Sequence, residues 1–280
     1  MLNHPCFEAR ARHSWGRIHL PVAPVCNIRC AYCDRRSDCV NESRPGVSSK
    51  IMKPQEAADY LALVLKSRTD ISVAGIAGPG DPLASPEITL LTLRLIKNFQ
   101  IKLCLSTNGL NLTEYIPELK KLGVRYTTLT INAVDPAIGS RIYLNIKHQG
   151  QLYTGLEGAS ILLKHQVEAL AALKSQGITV KINSVVIPGI NDGHIQEIAR
   201  LAAFYEADLM NCLALIPVPG TAMAGISPPD SQLMEKVRQE AEMHVKQMYH
   251  CSRCRADALG LLTSPDLTVT GNGSLMPATV

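Results

Sequence analysis

Three cysteines stand at CxxxCxxC spacing in Cys26-Asn27-Ile28-Arg29-Cys30-Ala31-Tyr32-Cys33, with an aromatic residue beside the last. Cysteine thiolates ligate iron–sulfur cubes, and most cubes take four. Three thiolates from one short loop would hold three irons and leave the fourth open to a substrate. A zinc knuckle is the competing reading, although structural zinc sites usually use paired clips and a closed set of four ligands. The loop follows the apolar run 18–25, which places it at the end of a strand.

Subtracting Cys26, Cys30 and Cys33 leaves Cys6, Cys39, Cys104, Cys212, Cys251 and Cys254. Cys251-Ser252-Arg253-Cys254 is a CxxC clip preceded by His250, so two sulfurs can reach one metal from a single turn. A second iron–sulfur site is the favoured reading; structural zinc with His250 and a thioredoxin-like redox pair are the alternatives. Cys6, in His4-Pro5-Cys6, and Cys39, after Asp38, have loop-like neighbours that give a thiol little packing reason to be there, so ligation stays open for both. Cys104 falls in an apolar strand, as either a ligand or a buried thiol, and Cys212 reads as core. His19 interrupts an apolar run; it is either a hydrogen-bonded core imidazole or an iron ligand.

These side chains need a scaffold. Short β-branched runs at 17–23, 71–77, 101–106, 125–132, 179–187 and 208–216 read as strands. Helical periodicity at 53–67, 85–98, 113–122, 158–176, 192–205 and 229–249 separates them. Repeated β-α units with right-handed crossovers give an α/β fold, here a partial (β/α)6 TIM-like barrel, with ligands collecting at the C-terminal ends of the strands. Several strands end in polar or glycine-containing loops: Gly78-Pro79-Gly80-Asp81-Pro82, then Ser106-Thr107-Asn108-Gly109, then Asn132, and Asn183 through Ile187. Each is a candidate cofactor contact, with an ordinary surface turn as the alternative. The stretch 143–153, mixed in polarity, reads as a mobile lid. Residues 1–260 form the barrel with its N-terminal and C-terminal ligand-bearing extensions, and 261–280 an extended tail.

Composition narrows the class of protein. With 46% hydrophobic and 19% charged residues over 280 positions, the chain has the makings of one large core. No run of 18 apolar residues and no basic-then-apolar leader is visible, so a cytoplasmic protein without membrane contact is expected. Nine cysteines cannot all pair, and disulfides are rare in a reducing compartment, so metal ligation explains them better. A net charge of +4 with scattered basic residues does not call for nucleic acid.

The triad, together with the glycine loop after the second strand, resembles the radical S-adenosylmethionine (radical SAM) superfamily, in which the open iron binds the amino and carboxylate groups of SAM. His4-Pro5-Cys6, Arg17-Ile18-His19, Val22-Ala23-Pro24-Val25, Asn41-Glu42-Ser43-Arg44-Pro45-Gly46-Val47 and the downstream CxxC together resemble the NifB family of nitrogenase-cofactor maturases over roughly residues 1–260. That resemblance implies three 4Fe–4S clusters and SAM: two cubes are joined as substrate, a sulfide is added, and a carbide from a SAM methyl group is inserted to give an 8Fe-9S-C product. It implies Cys26, Cys30 and Cys33 around the SAM-cleaving cluster, Cys6, His19 and Cys104 on one substrate cluster, and Cys251 and Cys254 on the other. Cys39 and Glu42 match family positions near the clusters, in roles left open between iron ligation and proton handling. Arg44 would contact an anionic cluster or the SAM carboxylate, or else anchor its own loop by a salt bridge. Gly78, Gly80, Asp81, Ser106, Asn108, Asn132, Asn183 and Ile187 are the implied SAM contacts. The chain resembles the minimal form of the family, a monomer served by cluster-donor and cofactor-carrier proteins. Another radical SAM maturase, acting on a peptide or pterin precursor, and a non-enzymatic iron–sulfur scaffold are the rival readings.

Overall fold

Apolar strands alternating with amphipathic helices close on themselves because each helix has one face to bury against the sheet. The computed structural model describes residues 3–34, 39–41, 50–263, 267–269 and 275–277. Its strands are β1 (Gly16–Pro21), β2 (Ile28–Cys30), β3 (Ile71–Ala77), β4 (Lys102–Thr107), β5 (Val124–Thr130), β6 (Tyr143–His148), β7 (Gln151–Tyr153), β8 (Thr179–Val186), β9 (Leu209–Ala214), β10 (Leu259–Leu261), β11 (Leu267–Val269) and β12 (Leu275–Pro277). Its helices are α1 (Pro54–Ser67), α2 (Pro86–Ile96), α3 (Leu112–Lys121), α4 (Pro136–Ile142), α5 (Gly155–Ser175), α6 (Ile195–Phe204) and α7 (Ser231–Glu242), after a 3-10 turn at Ala9–His13.

Strands β1, β3, β4, β5, β8 and β9 pair in that order, all parallel, which bears out the partial (β/α)6 barrel. Every residue of β3 is buried, as expected of a parallel strand covered on both faces. The main core lies between sheet and helices, with Leu61, Leu93, Ile96, Leu112, Leu170 and Ile198 from the helices against Ile18, Leu20, Ile76 and Leu105 from the strands. Pro54 and Pro86 open α1 and α2, where a missing N–H costs nothing.

The barrel is open between β9 and β1, and the chain after α7 spans that gap. Met210 of β9 bonds this segment through Met210 N to Lys246 O (2.8 Å) and Met248 N to Met210 O (2.7 Å). The chain then crosses to the far edge, where β10 pairs antiparallel with β1. Cys251 and Cys254 fall in the crossing. The helix expected over 229–249 therefore ends at Glu242, because the residues after it are needed along the β9 edge. Beyond residue 260 the expected extended tail differs too: β10, β11 and β12 add antiparallel strands to the sheet.

The stretch 143–153, expected as a lid, is a β-hairpin. β6 and β7 pair antiparallel, and β6 also pairs with β2 inside the cysteine loop. Gln149 and Gly150 both have positive φ, the signature of the two-residue hairpin turn that suits twisted strands. Tyr143 and Ile146 are buried, and Ala31 N donates to Ile142 O (2.8 Å). The hairpin is thus a buttress for the cysteine loop.

Candidate active site

The strand ends build a first cavity of about 320 Å³. Cys26, Cys30 and Cys33 line it, as do Cys39, Gly80, Asp81 and Asn108. Its floor is fixed by a buried polar network. The Tyr32 hydroxyl donates to Asn41 Oδ1, and Asn132 Nδ2 donates to the Tyr32 oxygen (2.7 Å) and to Asn41 Oδ1 (3.2 Å). Asn108 Nδ2 donates to Asn27 Oδ1 (2.7 Å) and lies 3.8 Å from Cys26 Sγ.

The glycine loop meets protein backbone on one side. Gly80 N donates to Ala23 O (3.0 Å) and Asp81 N to Val25 O (2.8 Å). A Cβ on Gly80 would sit 1.9 Å from Val25 O, and one on Gly78 2.4 Å from Ala23 O. Only glycine permits this approach to the segment that launches the cysteine loop. Asp81 ties the same loop to the end of β4, accepting from Leu83 N (2.8 Å), Thr107 Oγ1 (2.9 Å) and Asn108 N (2.6 Å). Burial pushes its carboxyl above the usual range, against the donors that favour its charged form.

Deeper in the barrel a second, smaller cavity of about 60 Å³ is lined by Cys6, His19, Cys104, Cys251 and Cys254. Strand register explains the arrangement. His19 pairs with Gly75 and Gly75 with Cys104, so the three sit in one row across β1, β3 and β4. A Cβ on Gly75 would lie 3.1 Å from Cys104 Sγ and 3.3 Å from His19 Cδ2, so the glycine keeps that row open. Cys6 enters from the turn His4–Phe7, which seats on the starts of the strands through Ser72 Oγ donating to Asn3 O (2.5 Å). Cys254 accepts from Arg17 Nη2 (3.0 Å), and His19 Nδ1 lies 2.9 Å from Arg255 O.

Of the remaining candidates, Ser106 and Asn183 line this second cavity, not the first. Ser106 and Cys104 are two apart on β4, so period-two alternation puts them on one face. Asn132 and Ile187 are fully buried and line neither cavity; Asn132 Oδ1 accepts from Val185 N (2.8 Å) and Ile187 N donates to Asn191 Oδ1 (2.7 Å). Gly78 lies behind the first cavity. Glu42 and Arg44 fall outside the described residues. Cys212 is fully buried in the main core, as the sequence indicated.

Burial shifts three of the cavity-lining thiols, Cys6, Cys26 and Cys30, towards their protonated forms. Cys30 is pushed up to about 12, and Cys6 to about 11 with Lys181 opposing the rise. Cys26 rises through burial and the neighbouring Asp81 carboxylate. A metal would have to displace those protons to bind.

A family model described as the radical SAM superfamily matches residues 20–202. The chain belongs to the radical SAM superfamily. It is 49% identical over 262 residues to the FeMo cofactor biosynthesis protein NifB of Chlorobaculum tepidum, a match spanning 93% of this chain and 62% of that protein. It is 43% identical over 266 residues to the NifB of Azotobacter vinelandii, spanning 93% of this chain and 53% of that protein. These figures bear out the resemblance read from the motifs, while the chain spans about half to two thirds of the length of those relatives. Among solved structures, Streptococcus suis SuiB bound to S-adenosylmethionine superposes at TM-score 0.58 with 12% identity, over 84% of this chain and 50% of that one. Methylornithine synthase superposes at 0.51 with 14% identity, over 85% and 72%. These two likenesses are of fold.

Radical SAM membership implies a 4Fe–4S cluster and SAM. The first cavity fits them: three thiols in one loop share its wall with a glycine backbone, and buried Thr130 Oγ1, at its edge, has no hydrogen-bond partner. Among the described residues, no three His, Cys, Asp or Glu side chains converge as ligands of one ion would. A cube takes one thiolate on each iron and so spreads its ligands more widely than a zinc ion does.

Several residues that shape the two cavities carried no role in the sequence reading. Gly75 was visible only as an interruption in an apolar run. Lys181 is two residues from Asn183 on one strand, so alternation alone puts both on one face. Arg17 stood out only as part of the Arg17-Ile18-His19 motif, with no role of its own, and Arg253 only as a spacer in the CxxC clip. Arg253 Nη1 donates to Ala214 O (2.8 Å) and Nη2 to Val40 O (3.0 Å), tying the CxxC turn to the loop that carries Cys39.

Proposed function

We propose that this radical SAM enzyme makes the iron–sulfur precursor of the nitrogenase active-site cofactor. Two 4Fe–4S substrate clusters are held around the second cavity, one on Cys6, His19 and Cys104 and the other on Cys251 and Cys254, and its walls part to admit them, because about 60 Å³ is too little for two cubes. They are fused with an added sulfide and a carbide from a SAM methyl group into an 8Fe-9S-C product. The observation that carries the reading is the second cavity itself. It gathers four cysteines and two histidines, His4 and His19, from the N-terminal turn, β1, β4 and the CxxC crossing. Ordinary packing does not call for such a set.

Cys26, Cys30 and Cys33 hold the resident cluster, which when bound supplies the electron that cleaves SAM. Gly80, Asp81 and Asn108 shape the pocket wall against which SAM is oriented, and Gly78 and Asn132 hold that wall from behind. Ser106 and Asn183 face the substrate clusters, and Ile187 packs beneath the strand end. Cys39, which lines the first cavity beside the triad, and Glu42 ligate iron or handle protons, and Arg44 contacts an anionic cluster or the SAM carboxylate. Holding each substrate cluster with fewer than four protein ligands suits fusion, because every retained bond must be exchanged as irons come to share sulfides. A neutral imidazole, His19, leaves more readily than a thiolate. The chain acts as a monomer in the cytoplasm, receiving clusters from donor proteins and passing product to a carrier.

Iron and sulfide analysis of anaerobically reconstituted protein tests this. With Cys26, Cys30 and Cys33 all replaced by alanine, about eight irons should remain per chain. Retention of none, or SAM cleavage that requires an added peptide or nucleotide, would overturn the reading. His19→Ala should lower the yield of fused cluster while deoxyadenosine still forms.

A further inference from the structure

Lys181 lines the second cavity and is 7% exposed. Among the described residues its ammonium has no hydrogen-bond or ion-pair partner; its one engaged neighbour is the Phe7 ring, whose centroid is 5.5 Å away. Attraction to one ring face is weak, and among the described residues no carboxylate pairs with this ammonium, so nothing in the protein balances a cation at this position. A second donor lines the same cavity. His4 is 1% exposed, and its Nδ1 accepts from Cys6 N (3.2 Å), which leaves the ring proton on Nε2. That Nε2 is buried and has no hydrogen-bond partner. In this tautomer it is a donor and not a metal ligand.

The two donors share a scaffold. The His4 ring packs edge-on against Phe7 at 4.7 Å between centroids and tilts over Tyr126 at 4.7 Å, so Phe7 joins His4 to the ring beneath Lys181. Both donors line the cavity that also carries Cys6, Cys104, Cys251 and Cys254. Asn211 Oδ1 in the same lining is an unpartnered acceptor, but the one cation there and the four thiols favour an anion rich in acceptor atoms.

We propose that Lys181 and His4 receive the sulfide face of an anionic iron–sulfur cluster in the second cavity, Lys181 as its counter-charge and His4 as a neutral hydrogen-bond donor. This rests on the reading that substrate clusters occupy that cavity. Lys181 is a positioning residue: it sets how firmly the cluster is held and how readily it accepts an electron, without ligating iron.

The test uses the full chain with Cys26→Ala, Cys30→Ala and Cys33→Ala, which leaves only second-cavity iron to observe. In that background Lys181→Met should move the reduction potential of the remaining cluster to a more negative value, since a nearby positive charge stabilises the reduced state. Chelator-driven iron loss should quicken roughly tenfold or more, the scale of removing an outer-shell partner of a metal site. Lys181→Arg should restore both. His4→Phe, which keeps the ring and removes the donor, should shift the potential in the same direction by less. Metal-free Lys181→Met should melt above its parent, because a buried charge has gone; a lysine that merely held the fold would give the opposite. A cluster whose potential and release rate are unchanged in Lys181→Met overturns this inference and leaves the proposed function standing. A triad-free parent that binds no iron overturns both.

Discussion

His19 on β1 and Cys104 on β4 occupy one register row, two strands apart, with Gly75 of β3 between them. An imidazole and a thiol on next-but-one strands can approach a common ligand only if the strand between presents no side chain. The row follows from parallel pairing, which fixes which residues stand abreast, and from the period-two alternation that turns all three towards the barrel interior.

Gly75→Ala should therefore disable the second cavity while sparing the fold. The added Cβ meets Cys104 Sγ at 3.1 Å and His19 Cδ2 at 3.3 Å, so both must move by a few tenths of an ångström. Overpacking of this kind costs about 1–3 kcal/mol. Iron bound in the triad-free background should fall, with the helical circular dichroism retained; full iron retention would show that the row is not a ligand row.

Arg17 joins the barrel to its C-terminal crossing. It is 1% exposed, and Nη1 donates to Gly260 O (2.6 Å) and Leu261 O (3.0 Å) while Nη2 donates to Cys254 Sγ. Arg17→Gln should cost about 1.5–3 kcal/mol for each charged hydrogen bond lost and not remade. Amide exchange should quicken selectively at 254–261, with β4 and β5 unaffected. A uniform increase across the sheet would mean that Arg17 supports the whole barrel instead of one edge.

Asp81 anchors the glycine loop through four acceptor contacts at one carboxylate, among them Asn108 N at 2.6 Å. Asp81→Ala leaves buried donors at Leu83, Thr107 and Asn108 unpaired, and a loss of roughly 2–4 kcal/mol in urea unfolding is expected at about 1–3 kcal/mol per orphaned group, with partial relaxation. Asp81→Asn keeps one acceptor oxygen and should lose less. Equal losses in the two variants would point to the charge, not to the acceptor geometry.

How far the sequence carried differs by element, for physical reasons. The parallel strands and their helices were legible because buried parallel strands read as continuous apolar runs; β3 coincides with the expected 71–77. The hairpin at 143–153 was not, because Asn145, Lys147 and Leu144 blur its alternation, and its partner β2 lies within the cysteine motif. Cys26, Cys30 and Cys33 were legible from spacing alone. The meeting of Cys6, His19, Cys104, Cys251 and Cys254 was not, since it depends on the chain crossing from β9 to β1; only family resemblance anticipated that these residues act together. Lys181 and Gly75 matter through register, which no local pattern displays.

A pH-dependent contribution to stability is expected from His194. Val134 N donates to its Nε2 (3.1 Å), which requires that nitrogen to be unprotonated. Burial lowers its pKa from the ordinary 6.5, outweighing the neighbouring Asp135 and Glu197 carboxylates that raise it. The folded form thus binds its proton less readily than the unfolded chain. Stability from the neutral ring is fully present above 6.5, declines as pH falls through that value, and is gone below the folded pKa. His194→Gln retains an acceptor that does not titrate. The stability difference between parent and His194→Gln should shrink from pH 7.5 to pH 5.5, by less than about 1 kcal/mol for a half-exposed group. A difference that stays constant across that range would assign the Val134 contact no dependence on protonation.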